Sequence, residues 1–504
     1  MTGYTRPGLT ILATAAVLGL LGAVLLQQGP FGLSGFLWIA ALALGLLVAA
    51  RFGGVILTGT GRWFLVPAVL FTGAAVWRGS ELLIALDFLA LVASLVLTIR
   101  GAREGDLREG GIIKHALGAA VAGFQTFLGP FFLLLDDVKW GELPRGRWSE
   151  RTAAVARGLL IALPLLLVFG ALFVAADAVF AQMTDRVITV GLSDVVGRVF
   201  QALLWGALAA GFLRATLLAR EPALPEARRP ASLSFGAIET GVILGLLNAL
   251  FLTFVAVQFR YFFGGAALVE ATTGLTFAEY ARKGFFELVG VAALVLPLLL
   301  GLHWLLPEAA PAPATDPAPA SGARRLFRAL AGALVAQLAI IMTSAWQRMM
   351  LYQSEYGLTE SRFTATTFMI WLAILIGWFL VTVMRERRER FVFGAVLSGL
   401  VVLVVLHLVN PEALIMRTNL ARAAEGKRFD ATYAAHAGPD AIPLLLDALP
   451  SLKPDDQRVI SEALLARYDQ FRADDWRNWN WSQSRAANLI DERRYVLESW
   501  VGLH

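Results

Sequence analysis

Residues 385–409 read RERRERFVFGAVLSGLVVLVVLHLV, and Asn410-Pro411 closes the stretch. From Phe391 to Val409 there is no Asp, Glu, Lys or Arg. The run has about the length a helix needs to cross a hydrocarbon core of roughly 30 Å. A helix can do so because it satisfies its own backbone donors and acceptors where no water is available. The arginines before it belong on the cytoplasmic side, by the usual bias of Lys and Arg. Everything after Asn410 then lies beyond the bilayer.

Working outward from this run, the same reading places spans at 9–27, 31–50, 63–77, 82–99, 157–179, 199–219, 236–257, 284–306, 328–346 and 364–384, eleven in all with 391–409. The 504 residues are 57% hydrophobic and 16% charged, against about 25% charged in a soluble domain. The formal charge of +5 could suggest nucleic acid, but the basic residues sit in loops between apolar runs, so no nucleic-acid partner is expected. Cysteine is absent, which excludes disulfides and thiolate metal sites. The first run follows Arg6 and offers no small-x-small cleavage site before Gln28, so it is read as a retained span.

Residues 115–135 are also apolar, but Gly118, Gly123, Gly129 and Pro130 interrupt them. Loop charge decides their role. If they do not cross, the inner loops hold Arg51 and Arg62, the basic cluster from Arg100 to Arg157, Arg214 to Arg229, Arg324 to Arg328, and Arg385 to Arg390. The outer loops then hold far fewer, among them Arg78, Arg186 and Arg198. A crossing would place the Arg-rich loops outside. The segment is therefore read as interfacial or re-entrant.

The expected architecture is an all-α, multi-pass transmembrane helix bundle with a small soluble helical domain at its C-terminus. It divides into a four-span unit (1–100), a cytoplasmic segment (101–156), a second four-span unit (157–306) with an outer loop at 258–283, a Pro/Ala-rich linker (307–327), a three-span unit (328–410) and an extracytoplasmic domain (411–504). No repeat relates the two halves. In the tail, Trp476, Trp479 and Trp481 suit ligand stacking, bilayer docking or a small core.

Polar residues inside spans are expensive and so mark candidate sites. Asp87 lies near the middle of its span, as a proton or cation relay or as one interhelical hydrogen bond. Asn248 suits a bond to a neighbouring helix, Gln337 suits either a hinge or a packing contact, and Glu239 is close enough to an end to reach water. Asp177 and Glu287 lie toward the outer ends of their spans. The outer loops add Arg260, Tyr261, Glu279, Arg282, Arg348, Tyr352 and Arg362. Thr276-Phe-Ala-Glu279 has the capping-box pattern that starts a helix. Forked Arg donors flanked by Tyr fit a carboxylate or phosphate, and the same residues also build structural ion pairs between loops.

Several stretches here resemble a family of bacterial membrane proteins catalogued as a domain of unknown function. They are QFRYFFGG at 258–265, TFAEYARKGFFEL at 276–288, ADAVF at 176–180, RMMLY at 348–352 with YGLT at 356–359, and NPEALIMRTN at 410–419. The resemblance implies a multi-pass protein of the bacterial inner membrane and brings no activity with it.

Three function classes follow. The first is a non-enzymatic binding, sensing or scaffolding protein whose outer face takes an anionic ligand or envelope component, with the lipid bilayer as its other partner. The second is a secondary transporter working through Asp87. The third is a membrane-embedded enzyme acting on lipid or cell-wall intermediates. The five histidines (115, 303, 407, 436 and 504) are scattered without metal-ligand spacing, and no nucleophile elbow or P-loop is present. No catalytic residue, metal or cofactor is assigned. The N-terminus is expected in the cytoplasm and the tail outside.

Overall fold

The computed structural model describes residues 5–27, 29, 32–102, 107, 111–140, 158, 162, 169–170, 173, 176–177, 192–219, 234–273, 285–306 and 319–502. The described elements are helices throughout, and ten are long and apolar enough to cross a membrane. All but one coincide with expected spans; the exception is Ile112–Asp137. The expected span 157–179 lies outside the described residues apart from isolated positions.

The chain forms two compact units. The first comprises Met1–Leu107, His115–Leu224 and Tyr468–Asn488. Its helices are α1 (Thr5–Leu25), α2 (Leu33–Gly53), α3 (Leu65–Trp77), α4 (Glu81–Arg100), most of α5 (Ile112–Phe132) and α6 (Leu192–Leu217). Arg6 Nε donates to Phe52 O at 3.0 Å, tying the start of α1 to the end of α2. Gly61 N donates to Gly101 O at 2.6 Å, tying the entry of α3 to the end of α4. Helix α3 has only 13 residues, preceded by a five-residue 3-10 stretch, Thr60–Phe64. At about 2.0 Å per 3-10 residue and 1.5 Å per α residue the pair reaches ~30 Å, the length of the 20-residue α4.

Helix α6 runs antiparallel to α1, with Gly206 beside Ala15 and Gly19, and Trp205 beside Gly22. A Cβ on Gly19 would overlap the α6 backbone, so these glycines set how closely the two helices approach. Ile11, Leu18, Leu42, Leu46 and Leu213 form the core between them.

A piece of the tail caps the other end of this bundle. Trp479 O accepts from Leu33 N at 3.2 Å. Asn480 Nδ2 donates to Ala75 O and Arg78 O, both at 2.8 Å, and Arg477 Nη1 donates to Gln27 Oε1 at 2.7 Å. Trp479 and Trp481 meet edge to face.

The second unit contains Pro225–Arg467 and Leu489–His504, with the short segment Arg108–Lys114. Its long helices are α7 (Ala237–Thr273), α8 (Phe285–Leu305), α9 (Pro319–Tyr356), α10 (Glu360–Thr382) and α11 (Phe391–Val409). Their core joins Leu244, Leu299, Phe327, Leu334, Leu338 and Phe379. Two expected boundaries shift. Helix α9 starts inside the stretch read as linker, because Ala323 and Phe327 are apolar enough to be buried to 1% exposure. Helix α7 continues to Thr273, into the stretch read as the outer loop.

After Asn410 come α12 (Pro411–Ala424), α13 (Ala431–Ala435), α14 (Ile442–Ala448), α15 (Pro454–Ala466), α16 (Tyr468–Phe471), α17 (Trp481–Glu492) and α18 (Arg494–Val501). The tail is helical as expected, but it is divided: 468–488 belongs with the first unit and the rest with the second. Asn410 turns the chain with φ 55°, caps α12 by accepting from Ala413 N, and puts Pro411 at the first helical position.

Candidate binding site

Helix α9 ends at Tyr356, and its last carbonyls have no partners along the helix. Gly357 terminates it with φ 77°, a left-handed conformation that favours glycine, and returns its N–H to Gln353 O at 2.9 Å. The remaining carbonyls are taken by side chains from other elements. Arg362 on α10 donates Nη1 to Tyr356 O at 3.1 Å and to Gly357 O at 2.6 Å. Arg422 on α12 donates to Ser354 O, and through Nη2 to Glu355 O at 2.9 Å. Two cations at a helix C-terminus also suit its negative dipole end.

Asn419 joins this turn to the tail. Its Oδ1 accepts from Leu358 N at 2.8 Å, and its Nδ2 donates to Leu358 O at 2.7 Å. A Cβ on Gly357 would stand 2.6 Å from that Oδ1. Tyr433 on α13 accepts, through its hydroxyl oxygen, the N–H of Glu360 at the start of α10. Burial, then the neighbouring Glu360 and Glu412 carboxylates, raise the Tyr433 hydroxyl above the usual phenol range. Asp430 caps α13 by accepting from Tyr433 N at 2.9 Å.

These contacts enclose a recess of about 270 Å³. Its wall combines Tyr356, Thr359 and Arg362 from the α9–α10 turn with Met416, Asn419 and Arg422 from α12, and Arg428, Asp430 and Tyr433 beyond it. The guanidinium of Arg362 lies 4.1 Å from the Tyr352 ring centre and 5.8 Å from that of Tyr356. Arg428 is exposed and makes no hydrogen bond or ion pair among the described residues.

Behind the recess, Glu412 accepts from Asp440 N at 3.1 Å. Burial, reinforced by the Asp440 charge, raises its carboxyl to about 7. Arg467 donates to Ala435 O and Ala437 O. Burial lowers its pKa, and Glu412 opposes that shift.

Of the residues singled out in the sequence, Tyr352 and Arg362 meet here. Arg348 is half-buried on the same helix, about one turn before Tyr352. Arg260 and Tyr261 lie on α7, and Glu279, Arg282 and the Thr276 capping box lie outside the described residues. Asn419, Arg422, Arg428, Asp430 and Tyr433 were not singled out as site residues, although Asn419 ends one of the family-like motifs. Among the polar residues of the spans, Asn248 donates to Leu330 O at 3.0 Å and accepts from Gln337 Nε2 at 3.1 Å, joining α7 to α9. Asp87 on α4 is 3% exposed, whereas Asp177, Glu239 and Glu287 are exposed. No group of three or more metal-ligating side chains occurs among the described residues.

Residues 65–448 match the model of a family described as a domain of unknown function, DUF4153. The chain belongs to the DUF4153 family. The DUF4153 match begins at α3, contains both walls of the recess and ends with α14. No curated protein and no solved structure matches the chain. With its many apolar helices, this DUF4153 member is an integral, multi-pass membrane protein.

Proposed function

We propose that this DUF4153 protein is a non-enzymatic binding protein of the bacterial cytoplasmic membrane, serving sensing or scaffolding, and that the recess takes one anionic group at the outer face. The observation that carries this reading is Arg428, a cation on the recess wall without a partner among the described residues. Arg362 and Arg422 add positive charge beside it while their donors hold helix carbonyls. Together they outnumber the acidic wall residues Glu355 and Asp430. A forked guanidinium suits carboxylate or phosphate, and so small a recess suits a single such group.

Sidedness is supported by charge. Within the second unit, Arg324, Arg325 and Arg328 at the start of α9 gather with Arg385, Arg387, Arg388 and Arg390 at the α10–α11 turn, where Arg324 pairs with Glu386 at 3.5 Å. The recess lies at the opposite ends of α9, α10 and α11, and the basic end is the cytoplasmic one by the positive-inside bias. The N-terminus is placed in the cytoplasm on the same bias.

The test is calorimetric titration of the full-length protein in nanodiscs with glycerol phosphate and with acetate. Binding is expected to one of them, and Arg428→Ala should weaken it at least about tenfold, on the order of 1.5 kcal/mol for a charged hydrogen bond. Arg325→Ala, at the far end, should leave it unchanged. Absence of binding to both probes, or equal loss in both variants, would refute the proposal.

Burial of Asp87 in α4 favours a second reading, proton- or cation-coupled transport. It is tested separately below.

A further inference from the structure

Helix α5 and the π-turn after it, Leu133–Asp137, together have the length and polarity of a membrane span. The contacts of the two ends place them otherwise. At its start, His115 Nε2 lies 3.3 Å from Leu107 O, just beyond the end of α4, and Gly118 packs on the Arg100 guanidinium. At its finish, Asp137 binds Arg214 near the end of α6 at 2.5 Å, and Val138 packs on Gly8 in the first turn of α1. The start of α1, the end of α4 and the end of α6 all belong to one end of the first bundle, the end where Arg6 holds Phe52. A crossing helix of this length would separate its ends by ~30 Å along the bundle. Here both ends return to the same level.

The side chains are sorted to match. Gly118, Ala122 and Gly129 are buried on the bundle side, and Gly129 meets Gly211 of α6 backbone to backbone. The outward face carries Leu117, Phe124, Phe127 and Leu135, all exposed and all apolar. In water such a face would be costly. The same bundle exposes Phe88 and Leu89 on α4, a helix long and apolar enough to cross a membrane, so the apolar phase around this unit is the bilayer.

We infer that α5 lies in the plane of the membrane, within the leaflet that holds the start of α1, and presents Leu117, Phe124, Phe127 and Leu135 to the acyl chains of that leaflet. The occupant of this face is lipid, not protein. The bundle takes the small-residue side, and amphipathic helices of this kind settle about 5–10 Å into the boundary between headgroups and chains. The segment adds no crossing, so α4 and α5 do not form a transmembrane hairpin.

The absence of cysteine gives a clean test. Leu117→Cys, Phe124→Cys, Phe127→Cys and Leu135→Cys each create one labelling site at an exposed position, where the fold loses no core contact. Leu89→Cys on α4 supplies a deep reference. Spin labels on the full-length protein in liposomes are read by collision with oxygen and with a water-soluble nickel chelate. All four α5 labels should report one shallow depth, with more oxygen than nickel contact, and Leu89→Cys should read deeper. A graded profile with Phe124→Cys and Phe127→Cys deepest, and with Leu117→Cys and Leu135→Cys reached from opposite sides by an impermeant maleimide, would overturn the inference. So would nickel contact dominating at all four positions, which would put the face in water.

Discussion

The contact between Gly357 and Asn419 can be tested by a double-mutant cycle. Asn419→Ala removes both bonds to Leu358, leaving one N–H and one C=O of a half-buried turn without their partner. At ~1 kcal/mol for each bond, the loss is about 2 kcal/mol. Gly357→Ala forces a side chain into φ 77°, costing ~1–2 kcal/mol, and pushes its Cβ to 2.6 Å from Asn419 Oδ1, so the amide must swing away and lose the same bonds. The two losses therefore overlap. The double variant should cost about 3 kcal/mol, where simple addition of the single variants predicts about 5 kcal/mol. The assay is hydrogen exchange followed by mass spectrometry, read locally on peptides covering 353–366 and 410–424, since a multi-helix membrane protein does not unfold in one step. Asn419→Ala should speed exchange there by roughly 30-fold, at 1.4 kcal/mol per factor of ten, with the 237–257 peptide unchanged. Strict additivity of the two substitutions would refute the shared-bond argument, and unchanged exchange in Asn419→Ala would refute the role of the side chain itself.

Further predictions concern other parts of the molecule. The Glu412 carboxyl is raised from 4.5 to about 7 by burial, so the folded state holds its proton more tightly than the unfolded chain. Its contribution is complete below pH ~4.5 and is lost as the pH rises through about 7. Exchange protection of 410–448 should fall over that window in the wild type and stay flatter in Glu412→Gln. Gln337→Leu removes the donor to Asn248 and should lower resistance to denaturing detergent by about 0.6–2 kcal/mol, with Asn248→Leu and the double variant no worse by more than the bonds to Leu330 and Leu244. Gly211→Val would drive a side chain into Thr126 O and should lift α5 from α6, which a label at Phe127→Cys would report as a changed depth. Uptake of a substrate into proteoliposomes at the wild-type rate by Asp87→Asn would remove the relay reading.

Among the described residues the spans were legible because the bilayer imposes a single rule on them, a length of apolar helix, and the sequence must obey it locally. Helix α3 strayed from that rule by using 3-10 geometry to gain length, which leaves no mark on hydropathy. The boundary of α9 shifted because Ala323 and Phe327 are buried by distant helices, while their neighbours in sequence look like a linker. At the recess, the wall residues Arg362 and Tyr356, with Tyr352 beside Arg362, could be grouped from helical spacing and a short loop. Asn419 and Arg422 could not, since their partners lie 61 to 68 residues away and the pairing is made by the way α12 folds back. The motif ending in Asn419 carried the signal without saying what it was for.

The tail's grip on the first bundle has a consequence for how the protein is made. Asn480 holds Ala75 across 405 positions of sequence, and Arg477 reaches Gln27 across 450. At about 5–20 residues per second, the ribosome needs roughly 20–80 s after releasing α3 to deliver the residue that finishes it. During that interval the carbonyls of Ala75 and Arg78 wait in water or on lipid headgroups. A stop codon anywhere between α3 and Arg477 would leave these early helices permanently unlatched, because the residues that close them are translated about 400 positions later.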